Sequence, residues 1–199
     1  MSETNPVIVQ YLQSIKEICP KLTDTELEAV ADKVTVSESK KKDFFIQSGE
    51  TQKTIGFISS GLIRTYYIDE QGNERNVGFF SEGEYATHYP AFISKQPSKY
   101  SIQCLEPTTF VHLTFDDLQE IYRLYPNVER YGRLIAEGIL IRRQARIESF
   151  VFMTAEERYL DFIQNQQNVF NRISISQLCS YLGIERQSLT RIRQKLAYQ

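Results

Sequence analysis

The sequence predicts an α+β chain in which a β-roll or jelly roll is followed by a long helix and a helical C-terminal end. Between Val34 and Phe115, short segments of strand character alternate with turns, as they do in antiparallel barrels and jelly rolls. Residues 127–150 have the apolar spacing of one long helix, and residues 174–197 have that of two short helices joined at Gly183.

The charge of the chain is unevenly distributed. The 199 residues carry a formal net charge of −2, but residues 1–125 hold 12 Lys/Arg and 18 Asp/Glu, whereas residues 126–199 hold 11 and 7. From Arg172 onward there are five basic residues and one acidic residue. An acidic body with a basic end fits a nucleic-acid contact confined to that end.

The cysteines and histidines argue against a metal centre. Cys19, Cys104 and Cys179 are far apart, and His88 and His112 are the only histidines, whereas iron–sulfur and structural zinc sites need closely spaced ligands. An odd number of cysteines without a signal-peptide pattern predicts a reducing, cytoplasmic setting. No apolar run approaches the length that spans a bilayer, so we expect no membrane partner.

The N-terminal half offers two helices and then strands. Helices are predicted over residues 6–18 and 23–33, and Thr23 with Glu26 forms a capping box for the second. The predicted strands are Val34–Ser37, Phe44–Gln47, Ile55–Ser59, Leu62–Ile68, Asn76–Phe80, Ser101–Glu106 and Thr109–Thr114.

A longer segment, residues 80–100, interrupts the strands and contains a predicted short helix around Tyr89–Ile93. Long excursions in a compact barrel tend to be functional. Gly83 permits a close backbone approach, and Glu84 could accept hydrogen bonds from a polyol ligand. An ordinary surface loop with a glycine turn is the alternative interpretation.

The long helix follows a shorter helix, Phe115–Leu124, that ends near Pro126. It carries two apolar stripes, so one can pack on the barrel and the other on a second copy of the chain. The stripe assigned to a homodimer interface is Tyr131, Leu134, Gly138, Ile141 and Ala145, and the neighbouring stripe is Val128, Ile135 and Ile139. A single buried core helix is the alternative.

The C-terminal end has the pattern of a helix-turn-helix. A helix from Thr154 to Gln164 and a polar connector, residues 165–172, lead into it, and Ser174 is a plausible N-cap. Residues that face inward in this pattern are Leu178, Cys179, Leu182, Ile184, Leu189, Ile192 and Leu196. Cys179 supplies the small residue where the two helices cross.

Five outward-facing residues of the last helix are candidate DNA contacts. Arg186, Gln187 and Arg191 lie in its first two turns, where Arg can bind guanine and Gln can bind adenine in the major groove. Ser188 and Lys195 are assigned to phosphates. The alternative is an amphipathic hairpin with a solvated polar face.

Taken in this order, the sequence resembles the Crp/Fnr family of transcription regulators. The resemblance covers nearly the whole chain and rests on SGE at Ser48–Glu50, SSGLIR at Ser59–Arg64, FFSEGE ending at Glu84, the long helix and the terminal helix-turn-helix. It implies a cyclic-nucleotide-binding-type β-roll, a dimerising helix, and a DNA-binding domain whose orientation an effector controls. The family's recognition helix has an acidic residue where this chain has Gln187, so we expect its DNA site to differ from the best-known one, since Glu accepts from cytosine and Gln suits adenine.

The effector region also departs from the family. Members that bind cyclic AMP follow their Gly-Glu pair with an Arg-Ser pair that holds the cyclic phosphate, but here that neighbourhood reads Pro97, Ser98, Lys99, Tyr100, Ser101. Lysine cannot copy the bidentate fork of arginine. The candidate effector residues are therefore Gly83, Glu84, Ser98 and Lys99, and we expect an unidentified small-molecule effector other than cyclic AMP.

The predicted organisation is a sensor domain over residues 1–126, a dimerisation helix over 127–150, and a helix-turn-helix domain without a following wing over 151–199. The predicted function is sequence-specific transcription regulation as a cytoplasmic homodimer, with double-stranded DNA and RNA polymerase as partners and no catalysed reaction. A ligand- or protein-binding member of the same fold with weak DNA binding is the second interpretation.

Overall fold

The computed structural model describes residues 5–197. Residues 1–4 and 198–199, at the ends of the two predicted terminal domains, lie outside this range. Helix α1 (Pro6–Ile18) begins after Asn5, whose side chain accepts from the Val7 amide. Helix α2 (Asp24–Ala31) has the predicted capping box of Thr23 and Glu26, which satisfies two backbone amides that have no partner within the helix.

Eight strands within residues 5–197 form the β-roll. They are β1 (Thr35–Ser39), β2 (Phe44–Ile46), β3 (Thr54–Ser60), β4 (Ile63–Ile68), β5 (Glu74–Phe80), β6 (Tyr85–Ala86), β7 (Ser101–Cys104) and β8 (Thr108–Thr114). Two antiparallel four-stranded sheets, β1-β8-β3-β6 and β2-β7-β4-β5, lie against each other. The predicted roll is confirmed, with β6 as a two-residue strand that the sequence pattern does not reveal.

Two helices connect the roll to the C-terminal end, α4 (Phe115–Leu124) and α5 (Pro126–Phe152), whereas the short helix α3 (Tyr89–Ser94) lies within the roll between β6 and β7. The long helix starts one residue earlier than predicted, because proline at the first helical position already has a helical φ and needs no amide partner. In the part of the chain that the structure describes, no helix is both long enough and apolar enough to cross a membrane.

Four helices follow α5 in the part of the chain that the structure describes: α6 (Ala155–Asn165), α7 (Gln167–Phe170), α8 (Ile175–Leu182) and α9 (Arg186–Ala197). Capping boxes start α6, with Thr154 and Glu157, and α8, with Ser174 and Gln177. The predicted polar connector differs from expectation, because it contains the single-turn helix α7, which buries Val169 in the C-terminal core.

Apolar side chains within residues 5–197 form three clusters, and one of them joins the roll to the C-terminal helices. One cluster lies between the two sheets, and another packs α1, α2, α4 and the start of α5 on the roll. The third combines Leu62 and Phe79 of the roll with Phe162, Leu178 and Leu189 of the C-terminal helices. The helix-turn-helix region is therefore packed directly against the roll.

Candidate functional site

The turn between α8 and α9 depends on Gly183. Its φ is +68°, in the left-handed region, and its amide donates to the carbonyls of Cys179 and Ser180, which closes the C-terminal end of α8. A Cβ at this position would lie 2.9 Å from a ring carbon of Phe150. Glycine is required here both by backbone geometry and by the close approach of α5.

Helix α9 has one packed face and one free face. Leu189 is buried in the cluster formed with α6 and α8, and Ile184, Ile192 and Leu196 pack against it. Arg186, Gln187 and Arg191 are exposed on the other side, and Ser188 is half-buried. Neither Arg186 nor Arg191 forms a salt bridge with any residue between 5 and 197.

Lys195 differs from Arg186 and Arg191 because its charge is paired within the chain. Lys195 Nζ lies 2.7 Å from Glu156 Oε2 of α6, so its charge is paired within the chain. Glu185 precedes α9 and its carbonyl accepts from the Leu189 amide. The free positive charge of the exposed face is therefore concentrated at Arg186 and Arg191.

Polar contacts fix the helix-turn-helix region to the roll. Ser180 Oγ of α8 donates to the Glu74 carbonyl at 2.8 Å and accepts from the Asn76 amide at 2.9 Å. Arg172 forms ion pairs with both Glu82 and Glu106 of the roll. The Arg172 guanidinium lowers the pKa of Glu82 to about 2, so both partners of this pair are charged at neutral pH.

Gly83 and Glu84 are built into the turn before β6. Gly83 has a φ of +83° and donates its amide to the Ile58 carbonyl at 2.9 Å. Glu84 accepts from the Ser81 amide at 2.8 Å through Oε2 and from Arg142 of α5 at 2.9 Å through Oε1. Burial raises the pKa of the Glu84 carboxyl. Both oxygens of this carboxylate are already engaged within the chain.

Ser98 and Lys99 do not join Glu84 in one pocket. Ser98 is buried, and its hydroxyl lies 3.0 Å from His88 Nδ1 and donates to the Tyr100 carbonyl at 2.7 Å. Lys99 is exposed, and neither residue lines the large cavity beside Glu84. The sequence predicted that these residues form one effector site. In the structure, however, the Ser98 hydroxyl forms its hydrogen bonds within its own loop and with His88.

That cavity, of about 640 Å³, lies between the roll, α5 and the helices α6 and α7. We call it the interdomain cavity; among the side chains that line it are Glu84, Arg142, Arg143, Arg146, Arg158 and Gln166. Sequence reasoning missed these four arginines. The available signal for three of them was the basic run IRRQAR at Ile141–Arg146 in α5, whereas Arg158 lies outside this run in α6.

The predicted dimer stripe is only partly at the surface. Tyr131 is 5% exposed, and its hydroxyl lies 2.6 Å from that of Tyr85 inside the core. Its assignment to an interface between copies is therefore corrected, because β6 and α1 already cover it. Leu134 and Gly138 are half-buried, and Ala145 and Ile141 are exposed, the latter by 68%.

Further apolar side chains extend this exposed surface toward the end of α5. They are Leu140, Ile147, Val151 and Phe152, and Phe152 is 78% exposed. A run of large apolar residues along one helix is more than the isolated exposed leucines that a monomer surface usually shows. We call Leu140, Ile141, Ile147, Val151 and Phe152 the α5 apolar face.

Comparisons with known proteins agree with this architecture. Residues 36–125 match the model of the cyclic nucleotide-binding domain family. No curated protein sequence matches the chain.

Several solved structures share the fold over most of the chain. FixK2 from Bradyrhizobium japonicum is 16% identical, with 83% of this chain and 85% of that chain covered and a TM-score of 0.72. The c-di-GMP-responsive regulator CLP from Xanthomonas campestris is also 16% identical, covering 88% and 92% with a TM-score of 0.69. A CooA variant from Carboxydothermus hydrogenoformans is 17% identical, covering 90% and 88% with a TM-score of 0.67.

A structure described as a transcriptional regulator of the Crp/Fnr family, from Eubacterium rectale, is 14% identical, covering 90% of this chain and 85% of that chain with a TM-score of 0.69. At this level of identity the likeness establishes the fold. Residues 36–125 thus match the cyclic nucleotide-binding domain family, and the chain shares its overall fold with these solved structures.

Proposed function

We propose that the chain is a sequence-specific DNA-binding transcription regulator that reads the major groove with α9. The free face of α9 carries this proposal: Arg186, Gln187 and Arg191 project from a helix whose opposite face is packed on α6 and α8. A helix held in this way can enter the major groove as a rigid body, with its first turns against the base edges.

The exposed side chains have distinct roles in this proposal. Arg186 and Arg191 form no salt bridge with a residue between 5 and 197, so their guanidinium groups can bind guanine O6 and N7, and Gln187 can bind adenine N6 and N7. Ser188 contacts a phosphate. Lys195 contributes to phosphate binding only to the extent that DNA competes with Glu156 for its ammonium group.

The DNA-binding form is a homodimer held through the α5 apolar face. Burying large side chains such as Ile141 and Phe152 against a second copy removes apolar surface from water. A two-fold axis along α5 brings two α9 helices to one side of the dimer, where a separation of about 34 Å matches one turn of DNA. Ile141→Glu is expected to give monomers in sedimentation at micromolar concentration, whereas Arg130→Glu, at an exposed position of the same helix, leaves the dimer intact.

A small-molecule effector controls this activity by preferring one orientation of the C-terminal helices over another. Cyclic AMP does not fill this role, because the expected phosphate contact has no arginine and Ser98 is occupied by internal hydrogen bonds. Titration calorimetry should detect no binding of cyclic AMP at micromolar concentration, and binding in that range would refute this part of the proposal.

The experiment that tests DNA reading is selection from a random-sequence duplex pool with the full chain, followed by sequencing of the retained duplexes. A two-fold-symmetric motif is expected. Arg186→Ala should weaken binding to the selected duplex by about 1–3 kcal/mol and relax the preference at one base pair. Arg130→Ala serves as the control, since Arg130 lies on α5.

Two outcomes would contradict this assignment. The absence of any enriched motif would exclude sequence-specific reading by the protein as purified. An equal loss of affinity for selected and random duplexes in Arg186→Ala would show that Arg186 contacts phosphate and not a base, because phosphate contacts carry no sequence information.

A further inference from the structure

We propose that Thr190 of α9 reads the 5-methyl group of thymine in the major groove. This inference rests on the proposed function, because it adds a contact to the DNA-reading face of α9. In the major groove a T·A pair presents the thymine methyl group beside its hydrogen-bonding atoms. The residues assigned to base contacts, Arg186, Gln187 and Arg191, offer hydrogen bonds. Recognition of the methyl group therefore needs an apolar contact from another side chain.

Thr190 lies in the middle of the free face of α9. It follows Arg186 by four residues and precedes Gln194 by four, and in a helix with about 3.6 residues per turn these three side chains lie in one row. All three are exposed. Ile192, on the opposite side of the helix, packs in the C-terminal core. A helix that enters the major groove with its free face therefore brings Thr190 to the base edges together with Arg186.

The hydroxyl of Thr190 is turned towards the helix itself. Thr190 Oγ1 donates to the Arg186 carbonyl at 3.1 Å, which is the bond to the preceding turn that serine and threonine form inside helices. Because a threonine hydroxyl carries a single proton, this bond leaves it without a donor for a base. The other branch of the side chain is the Cγ2 methyl group. Thr190 thus presents an apolar group on an otherwise polar and charged face.

The same hydrogen bond fixes the direction of the methyl group. A β-branched side chain in a helix has few allowed χ1 rotamers, and for threonine a bond to the carbonyl one turn earlier selects between them. The methyl group is therefore held in place before DNA binds, and little side-chain entropy is lost on contact. Packing it against the thymine methyl group removes apolar surface of both from water, which is favourable.

The neighbouring arginines predict where the thymine lies. Arg186 and Arg191 flank Thr190 on the exposed face and carry the guanidinium groups assigned to guanine. A thymine is therefore expected beside a guanine in each half-site of the selected duplex. A side chain without the methyl group should not distinguish thymine from uracil at that base pair.

The test replaces thymine by uracil in the selected duplex, one position at a time and in both half-sites. Uracil keeps the O4 acceptor and lacks only the methyl group. At one position beside a guanine, the replacement should weaken binding by the parent chain by about fourfold per half-site, which is the effect of burying one methyl group. Fluorescence anisotropy with the full chain measures both affinities at one fixed salt concentration, since affinity for DNA depends on salt.

Two substitutions of Thr190 separate its methyl group from its hydroxyl. Thr190→Val keeps the methyl group and removes the hydroxyl, so it should retain the uracil penalty. Thr190→Ser keeps the hydroxyl and lacks the methyl group, so it should bind the thymine and uracil duplexes equally well. The matched control is Thr35→Ser, at an exposed position of β1 in the roll, which should retain the full penalty. Serine, threonine and valine have similar helix propensities, so thermal melts should show an unchanged Tm for the Thr190 variants.

The proposal is overturned if no replacement of thymine by uracil weakens binding, or if Thr190→Ser shows the same penalty as the parent chain. A selected motif without this methyl dependence would overturn the Thr190 contact alone and leave sequence-specific DNA reading intact. The absence of any selected motif would overturn both. A failure of the Thr190 contact is therefore distinguishable from a failure of the proposed function.

Discussion

Replacing Arg172 by methionine should loosen the attachment of the C-terminal helices to the roll. Arg172 presents Nη2 to Glu82 Oε1 at 2.9 Å and Nη1 to Glu82 Oε2 at 3.0 Å, a bidentate pair, and Nη2 also contacts Glu106. Its side chain is only 26% exposed. Methionine keeps much of the apolar stem and removes the charge.

The expected loss follows from the pKa of Glu82. Without any solvent screening, a lowering of the Glu82 pKa from 4.5 to about 2 corresponds to roughly 3 kcal/mol of unfolding free energy. Because the Glu82 side chain is 43% exposed, solvent screening reduces this to about 1–2 kcal/mol at neutral pH. The contribution is present above the unfolded-state pKa and is lost as the pH falls through the folded-state pKa. It should therefore fade between about pH 4.5 and pH 2.

The assay is urea-induced unfolding of the parent and of Arg172→Met at neutral pH and at a series of acidic pH values. The difference in free energy of unfolding should be largest at neutral pH and shrink towards zero at about pH 2. Arg133→Met, which breaks the exposed pair of Arg133 with Glu137 inside α5, should cost no more than about 0.5 kcal/mol. A difference that stays constant across the pH series would refute the ion-pair explanation and point to lost packing instead.

Two further predictions concern α5. Gly132→Ala should destabilise the fold by several kcal/mol, because its Cβ would lie 1.7 Å from the Tyr122 hydroxyl; Gly138→Ala, which meets nothing within 4 Å, should stabilise the monomer by up to about 1 kcal/mol. Equal thermal melts for the two variants would contradict this reading. Tyr131→Phe should lower the free energy of unfolding by about 1–3 kcal/mol, because it leaves the buried Tyr85 hydroxyl without its 2.6 Å partner; unchanged urea unfolding would argue against that bond.

The sequence predicted the elements whose signals are local. The Thr23–Glu26 capping box and the turn at Gly183 depend on residues within one helical turn, and both are as expected. Strands with three or more residues, β2 included, have enough alternation or flanking turn residues to be predicted. The strand β6 and the helix α7 are too short to show any period, and they form because neighbouring elements hold them.

The candidate sites were harder to predict, because they depend on which distant segments meet. The apolar spacing of α5 was visible, but it could not show that Tyr131 turns to Tyr85 and that Ile141 stays in solvent. Likewise, the spacing of Gly83 and Ser98 could not reveal that Ser98 bonds to His88. Arg143 went unnoticed because only the docking of α6 and α7 encloses it.

The shared apolar cluster at Leu62 and Phe79 sets an energetic threshold for any switch in this chain. Leu62 is 0% exposed and Phe79 is 5% exposed, and fully uncovering two such side chains costs about 3–6 kcal/mol. A molecule that turns the C-terminal helices away from the roll must bind the turned state more tightly by a comparable amount, roughly 10²- to 10⁴-fold. Separating the C-terminal helices from the roll therefore has a definite free-energy cost. A ligand that binds the two arrangements almost equally well will occupy the chain without changing its arrangement.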